Sequence, residues 1–151
     1  MVRFVLNGQE TEFSGDEKTL LLNFLRDEQG ITSVKDGCSG QAACGACLVE
    51  LDGKPALACS TRMKRVTGKQ VLTIEGFPER VRRTLGRAFV AKGAVQCGFC
   101  TPGMMVRAYR LLQENPDPDE DEIRTGLAGN ICRCGCYQRI VSAVRQASTG
   151  A

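Results

Sequence analysis

The sequence predicts an α+β protein in which a β-rich N-terminal half is followed by a helical C-terminal half. Three observations predict it. Apolar residues alternate in short runs up to about Gly76, and beyond Phe77-Pro78 they recur at helical spacing. The chain also carries nine cysteines and no histidine, and each half holds one group of the cysteines. At 151 residues, with 42% hydrophobic and 25% charged side chains, the composition is globular and suits one ordinary domain or two small ones. It excludes a disordered chain. The change of periodicity predicts a division into 1–76 and 77–151.

In chain order, Val2 to Leu6 and Thr11 to Phe13 read as strands joined at Asn7-Gly8, a pair suited to a tight hairpin turn. Leu20 to Leu25 is the one amphipathic helical segment of this half, expected to pack across the sheet. Leu48 to Leu51 and Val71 to Ile74 read as further strands, the former followed by a turn at Asp52-Gly53. In the second half, Val81, Leu85, Phe89 and Val90 mark a helix starting near Glu79. Met104, Met105, Ala108, Leu111 and Leu112 mark a second, with Pro102 in its first turn, where the missing N–H costs nothing. Asn115 to Pro118 ends it, Asp119 through Leu127 forms a third, and Ile140 to Val144 lies in a fourth. Met104 and Met105 read as core filling.

The charge of +3, from 20 basic and 17 acidic residues, does not indicate nucleic acid. The basic residues are scattered except for Arg80, Arg82, Arg83 and Arg87, which read as a solvated helix face or a surface for a partner subunit. The N-terminal residues lack the charged head, apolar stretch and small-residue cleavage site of a secretory signal, and no apolar run approaches the ~18 residues of a membrane span. A cytoplasmic protein is expected. In that setting so many cysteines, odd in number, point to reduced metal-binding thiols rather than to disulfides. The lack of histidine excludes Ser-His-Asp hydrolysis, His-ligated zinc, Rieske centres and His-ligated haem.

The first group is Cys38, Cys44, Cys47 and Cys59, three of them in one loop rich in glycine and alanine. Small residues let the backbone wrap closely round a cluster and aim its amides at the sulfurs. The spacing is close to that of plant-type [2Fe–2S] ferredoxins, with one more residue between Cys38 and Cys44. A four-cysteine zinc site is the competing reading, although structural zinc usually draws two short cysteine pairs from separate knuckles. The second group is Cys97, Cys100, Cys132, Cys134 and Cys136. Cys97 and Cys100 form a CxxC before a helix N-terminus, where partial positive charge favours thiolate. A thioredoxin-like pair has that spacing too, but it needs a βαβ context that this sequence lacks. Spacing alone leaves Cys132, Cys134 and Cys136 as three candidates for two ligand places.

Taken together, LNG near the start, KDGC with CGAC, LDGKPALAC, TIEG, QCGFCTPGM, and GNICRC ahead of Tyr137 resemble the iron–sulfur subunit of the xanthine dehydrogenase and aldehyde oxidoreductase family of molybdenum hydroxylases. The resemblance covers nearly the whole chain and implies a plant-ferredoxin-like β-grasp domain followed by a four-helix [2Fe–2S]-binding domain. It implies that Cys38, Cys44, Cys47 and Cys59 hold a cluster nearer a flavin, and that Cys97, Cys100, Cys132 and Cys134 hold one nearer the molybdenum. Gln96 and Cys134 would lie beside the molybdopterin-type cofactor. The implied function is to relay electrons one at a time from a large molybdenum-cofactor subunit through the two clusters to a medium FAD subunit or another acceptor. A hetero-oligomer follows, with a dimer of heterotrimers as one form. No substrate site is expected in this chain, and the motifs assign no substrate.

Two departures from the family pattern stand out. The Cys38–Cys44 loop is one residue longer than in most members, and Gly135-Cys136 replaces the usual Thr-Gly, which sets a ninth cysteine beside the second group. The rival readings are a free di-cluster ferredoxin, which a strongly acidic surface would have favoured, and a structural zinc adaptor, which would be colourless.

Overall fold

The computed structural model describes residues 1–149. Strands β1 (Val2–Leu6), β2 (Gln9–Phe13), β3 (Leu48–Leu51), β4 (Lys54–Leu57) and β5 (Gln70–Leu72) form one sheet in the order β2-β1-β5-β3-β4. The β1–β5 pair is parallel and the other pairs are antiparallel. Both two-residue turns form as the sequence predicts. Asn7 and Gly8, and Asp52 and Gly53, all take positive φ, the backbone that lets a two-residue connection follow the twist of its strands.

Three elements differ from the sequence reading. Strand β4, to which the sequence reading gave no bounds, contains Pro55, which has no N–H to donate, and it is tolerated because β4 is an edge strand. Strand β5 stops at Leu72 because the Asn7 side chain takes over the next amide, accepting from Thr73 N at 2.9 Å, and the chain turns into a 3₁₀ segment at Ile74–Gly76. The segment expected at Leu20 to Leu25 is a short helix α1 (Leu21–Asn23) that widens into a π-helical turn over Phe24–Glu28. The wider turn keeps Leu21, Leu22, Phe24 and Leu25 all buried under the sheet, with Phe24 edge-on to both Phe4 and Phe13.

After Pro78 come α2 (Glu79–Ala91), α3 (Thr101–Glu114), α4 (Glu120–Leu127) and α5 (Tyr137–Ser148). Asp119 caps α4 reciprocally with Glu122. A core of Leu85, Phe89, Met104, Ile123, Ile140 and Val144 fills the space between these helices, and the buried Met104 sits in it as expected. Helix α3 packs on β3 and β4, joining the two halves through Leu48, Phe77 and Val106, with Tyr109 against Phe77. Beside that joint Glu50 on β3 is buried 3.9 Å from Arg110 on α3, and burial pushes its carboxyl above the usual range despite the nearby guanidinium. This packing directs the N-terminus of α3 at the cysteine loop of the first half. Among the described residues no helix is long and apolar enough to cross a membrane.

Candidate metal centres

The β3–β4 hairpin positions half of the first cysteine group. Leu48 pairs with Leu57, so Cys47, just before β3, faces Cys59, which follows β4 in the 3₁₀ turn Ala58–Ser60. The Ala58 amide donates to the Cys47 carbonyl at 3.1 Å, and both thiols are buried. Cys38 and Cys44 are half-buried in the loop before β3. That loop is tightly curled, with left-handed backbone at Ser39, Gly40, Ala42 and Gly45, and two of these are not glycine. The curl turns amides inward. Ala43 N–H donates to Cys38 Sγ and Ala46 N–H to Cys44 Sγ, each at 3.5 Å. The Ala43 and Cys44 amides hold the Cys38 thiol down at about 7, while burial pushes Cys44 up and Cys47 up to about 12.

The second group is assembled by two helix starts. Cys97 and Cys100 lead into α3, with Cys100 as its N-cap, and Cys132 and Cys134 lie in the turn before α5. Gly98 and Gly135 take positive φ and reverse the chain in each segment. Cys134 Sγ lies 3.4 Å from Cys97 Sγ, and Cys100 is within hydrogen-bonding reach of Cys132. The Phe99 amide pulls Cys97 down, whereas burial pushes Cys100 up to about 12. Burial works against the Cys132 thiolate, but the Cys136 amide and neighbouring thiols outweigh it, leaving Cys132 lowered. Tyr137 fixes this turn by accepting from Cys132 N–H at 2.8 Å. Cys136 is buried at the N-cap of α5, and Gln96 is exposed next to Cys97 with its side chain in reach of Cys136.

The eight thiols thus meet in pairs: Cys38 with Cys44, Cys47 with Cys59, Cys97 with Cys134, and Cys100 with Cys132. A zinc ion needs four donors around a single point, whereas a [2Fe–2S] cluster needs two thiolates on each of two irons. An all-sulfur donor set arranged two plus two, with amides aimed at the sulfurs, fits the cluster.

The groups are also tied to each other by residues that spacing did not single out. Ile131 N–H donates to the Cys44 carbonyl at 2.9 Å, and the buried Asn130 donates its side-chain amide to the Gly45 carbonyl at 3.1 Å while accepting from Arg107. Phe99 and Ile131, both exposed, line a hollow of about 460 Å³ together with Cys38, Cys44, Cys97 and Cys100. Asn130 stands two residues before Cys132 in GNICRC, a polar side chain at the edge of a ligand run, and that was the one available signal for it.

Comparison with known proteins agrees with both halves of this picture. The family described as "2Fe-2S iron-sulfur cluster binding domain" matches residues 4–64, and that described as "[2Fe-2S] binding domain" matches residues 73–145. The nicotinate dehydrogenase small FeS subunit of Eubacterium barkeri is 42% identical over 94% of this chain and 90% of its own. The crystal structure of quinoline 2-oxidoreductase from Pseudomonas putida 86 superposes with a TM-score of 0.91 at 35% identity, over 99% of this chain and 93% of that one. The aldehyde oxidoreductase from Desulfovibrio gigas superposes with a TM-score of 0.89 at 42% identity, over 99% of this chain but only 17% of that one. With two [2Fe–2S] family matches, and relatives aligned nearly end to end, this chain belongs to the iron–sulfur small subunits of the xanthine dehydrogenase and aldehyde oxidoreductase family of molybdenum hydroxylases.

Proposed function

We propose that Cys38, Cys44, Cys47 and Cys59 hold one [2Fe–2S] cluster and that Cys97, Cys100, Cys132 and Cys134 hold a second, so that the chain is a two-station electron carrier within its complex. The observation that carries this reading is the two-plus-two pairing of eight thiols in two groups, joined by the Ile131 to Cys44 hydrogen bond. When bound, the clusters supply one-electron redox chemistry, while the molybdenum cofactor of the large subunit supplies the two-electron oxidation of substrate. This chain's residues supply position and electrostatics. The amides of Ala43 and Ala46 donate to sulfur in the first site and stabilise its negative charge. In the second, the two helix N-termini bring partial positive charge to the thiolates.

The halves divided at 76/77 are read as a plant-ferredoxin-like β-grasp domain and a four-helix [2Fe–2S]-binding domain. Support comes from the mixed sheet with α1 beneath it, and from helices α2 to α5 around their own core. Gln96 and Cys134 are assigned to the side facing the molybdopterin, with the first cluster on the side towards a medium FAD subunit. What supports a docked subunit rather than a free carrier is the exposed apolar surface round the second group, where Val95, Phe99, Ile131 and Tyr137 are 38–51% accessible. A hetero-oligomer containing a large molybdenum subunit is the corresponding assembly, a dimer of heterotrimers being one form, with the cytoplasm as its location.

The test is to replace one cysteine in each set. Cys59→Ser should alter only one of the two paramagnetic signals of the reduced protein and Cys100→Ser only the other. Loss of both signals in either folded variant would contradict two separate sites.

A further inference from the structure

The ninth cysteine meets no thiol of the segment before α3. Each of Cys132 and Cys134 already meets a thiol from the segment before α3, and the residue of that segment left to Cys136 is Gln96. Cys136 is nevertheless held firmly. It is 4% exposed, it is the N-cap of α5, and the left-handed Gly135 turns it back towards Cys132. Its backbone amide and its thiol both lie within hydrogen-bonding reach of Cys132 Sγ, and the Gln96 side chain lies within reach of its own sulfur.

We propose that Cys136 is a positioning residue that donates its S–H to the sulfur of Cys132, with the Gln96 amide donating to Cys136 in turn, and so raises the reduction potential of the second cluster. This rests on the reading of Cys132 as a cluster ligand. A reducing electron adds negative charge that spreads onto the cysteine sulfurs, and a donor on one of those sulfurs stabilises the reduced state more than the oxidised one. A donor that itself accepts a hydrogen bond is polarised and donates more strongly. Burial excludes the water that would otherwise compete. A glycine at this position would offer only its amide; cysteine adds a second donor without adding a ligand. No bond is made or broken, and the group changes only the balance of the one-electron step.

The test uses the full chain in its assembled complex and measures the midpoint potentials of both clusters by titration followed through their paramagnetic signals. Cys136→Ala should retain full iron and sulfide, leave the first cluster's potential unchanged and lower that of the second. At a fixed potential the reduced-to-oxidised ratio of that cluster should fall by up to about tenfold, which is 59 mV for a one-electron couple. Cys136→Gly removes the donor without adding bulk and should shift the potential in the same direction. Cys136→Ser keeps a donor and should restore the potential or raise it above that of the unaltered protein. In deuterated buffer the iron–thiolate stretching bands of the second cluster should shift in the unaltered protein and not in Cys136→Ala. An unchanged potential in Cys136→Ala and Cys136→Gly with both clusters present would overturn the proposal, as would an equal downward shift in Ser and Ala. Loss of iron from Cys136→Ala, with iron retained in Cys134→Ala, would instead overturn the assignment of ligands.

Discussion

Gly45 turns with φ +72° between Cys44 and Cys47, and a β-carbon there would lie 2.5 Å from the Gly129 carbonyl and 2.7 Å from the Asn130 side chain. Both neighbours belong to the segment that carries Cys132, so the close approach of the two cysteine groups depends on the missing side chain. Gly45→Ala should destabilise the protein by about 2 kcal/mol or more, since strained backbone and overlap combine. Thermal unfolding and iron counts check it, and a variant as stable as the unaltered protein would show that the approach is not tight. Asn130→Ala leaves the Gly45 carbonyl without its donor, and a buried unsatisfied acceptor costs about 1–3 kcal/mol. It should also weaken the magnetic interaction between the two reduced clusters by loosening their spacing, which spectra of the fully reduced protein would show. The two cysteine groups were legible as groups because spacing is a local property, although spacing did not choose between Cys132, Cys134 and Cys136. Asn130 was not, because its partner Gly45 lies 85 residues away and no pattern in one sequence reports that pairing.

The hairpin turns were legible for the same local reason, since Asn7-Gly8 and Asp52-Gly53 favour the backbone they adopt. The bounds of β4 were hidden by Pro55, whose tolerance depends on an edge position that only the sheet order reveals. The end of β5 depends on Asn7, 66 residues away, and the π turn of α1 on the need to bury Phe24 and Leu25 together. The turn after β3 also carries a pH effect. Asp52 accepts from Gln70 N–H at 2.8 Å and pairs with Lys69, and these hold its carboxyl below the usual carboxylate range. A carboxyl whose value is lower folded than unfolded contributes stability above its unfolded value and loses it as the pH falls through the folded one. Asp52→Asn, which tolerates the left-handed backbone, should therefore be less stable than the unaltered protein at neutral pH, with the difference vanishing in acid. Urea unfolding at several pH values checks this, and a difference independent of pH would contradict it.

At the scale of the molecule, a sheet followed by helices was legible in the change from alternating to helical periodicity at Phe77-Pro78, and the structure gives each a core of its own. How they join was not, because Leu48, Phe77 and Val106 come from three separate stretches and read singly as ordinary apolar residues. That joint matters for function, since it sets α3 on β3 and brings Cys100 and Ile131 to the loop that holds Cys38 and Cys44. As an electron-transfer subunit the chain needs two redox stations held at a fixed separation, and the packing of α3 supplies the fixed separation. Whether there are two stations is decided most directly by metal and sulfide analysis of the anaerobically purified chain, combined with spectra of its reduced form. Two [2Fe–2S] clusters require a red-brown protein with about four irons and four acid-labile sulfides, and two distinct paramagnetic signals. Stoichiometric zinc without sulfide, or two irons and a single signal in the intact chain, would contradict a two-cluster chain.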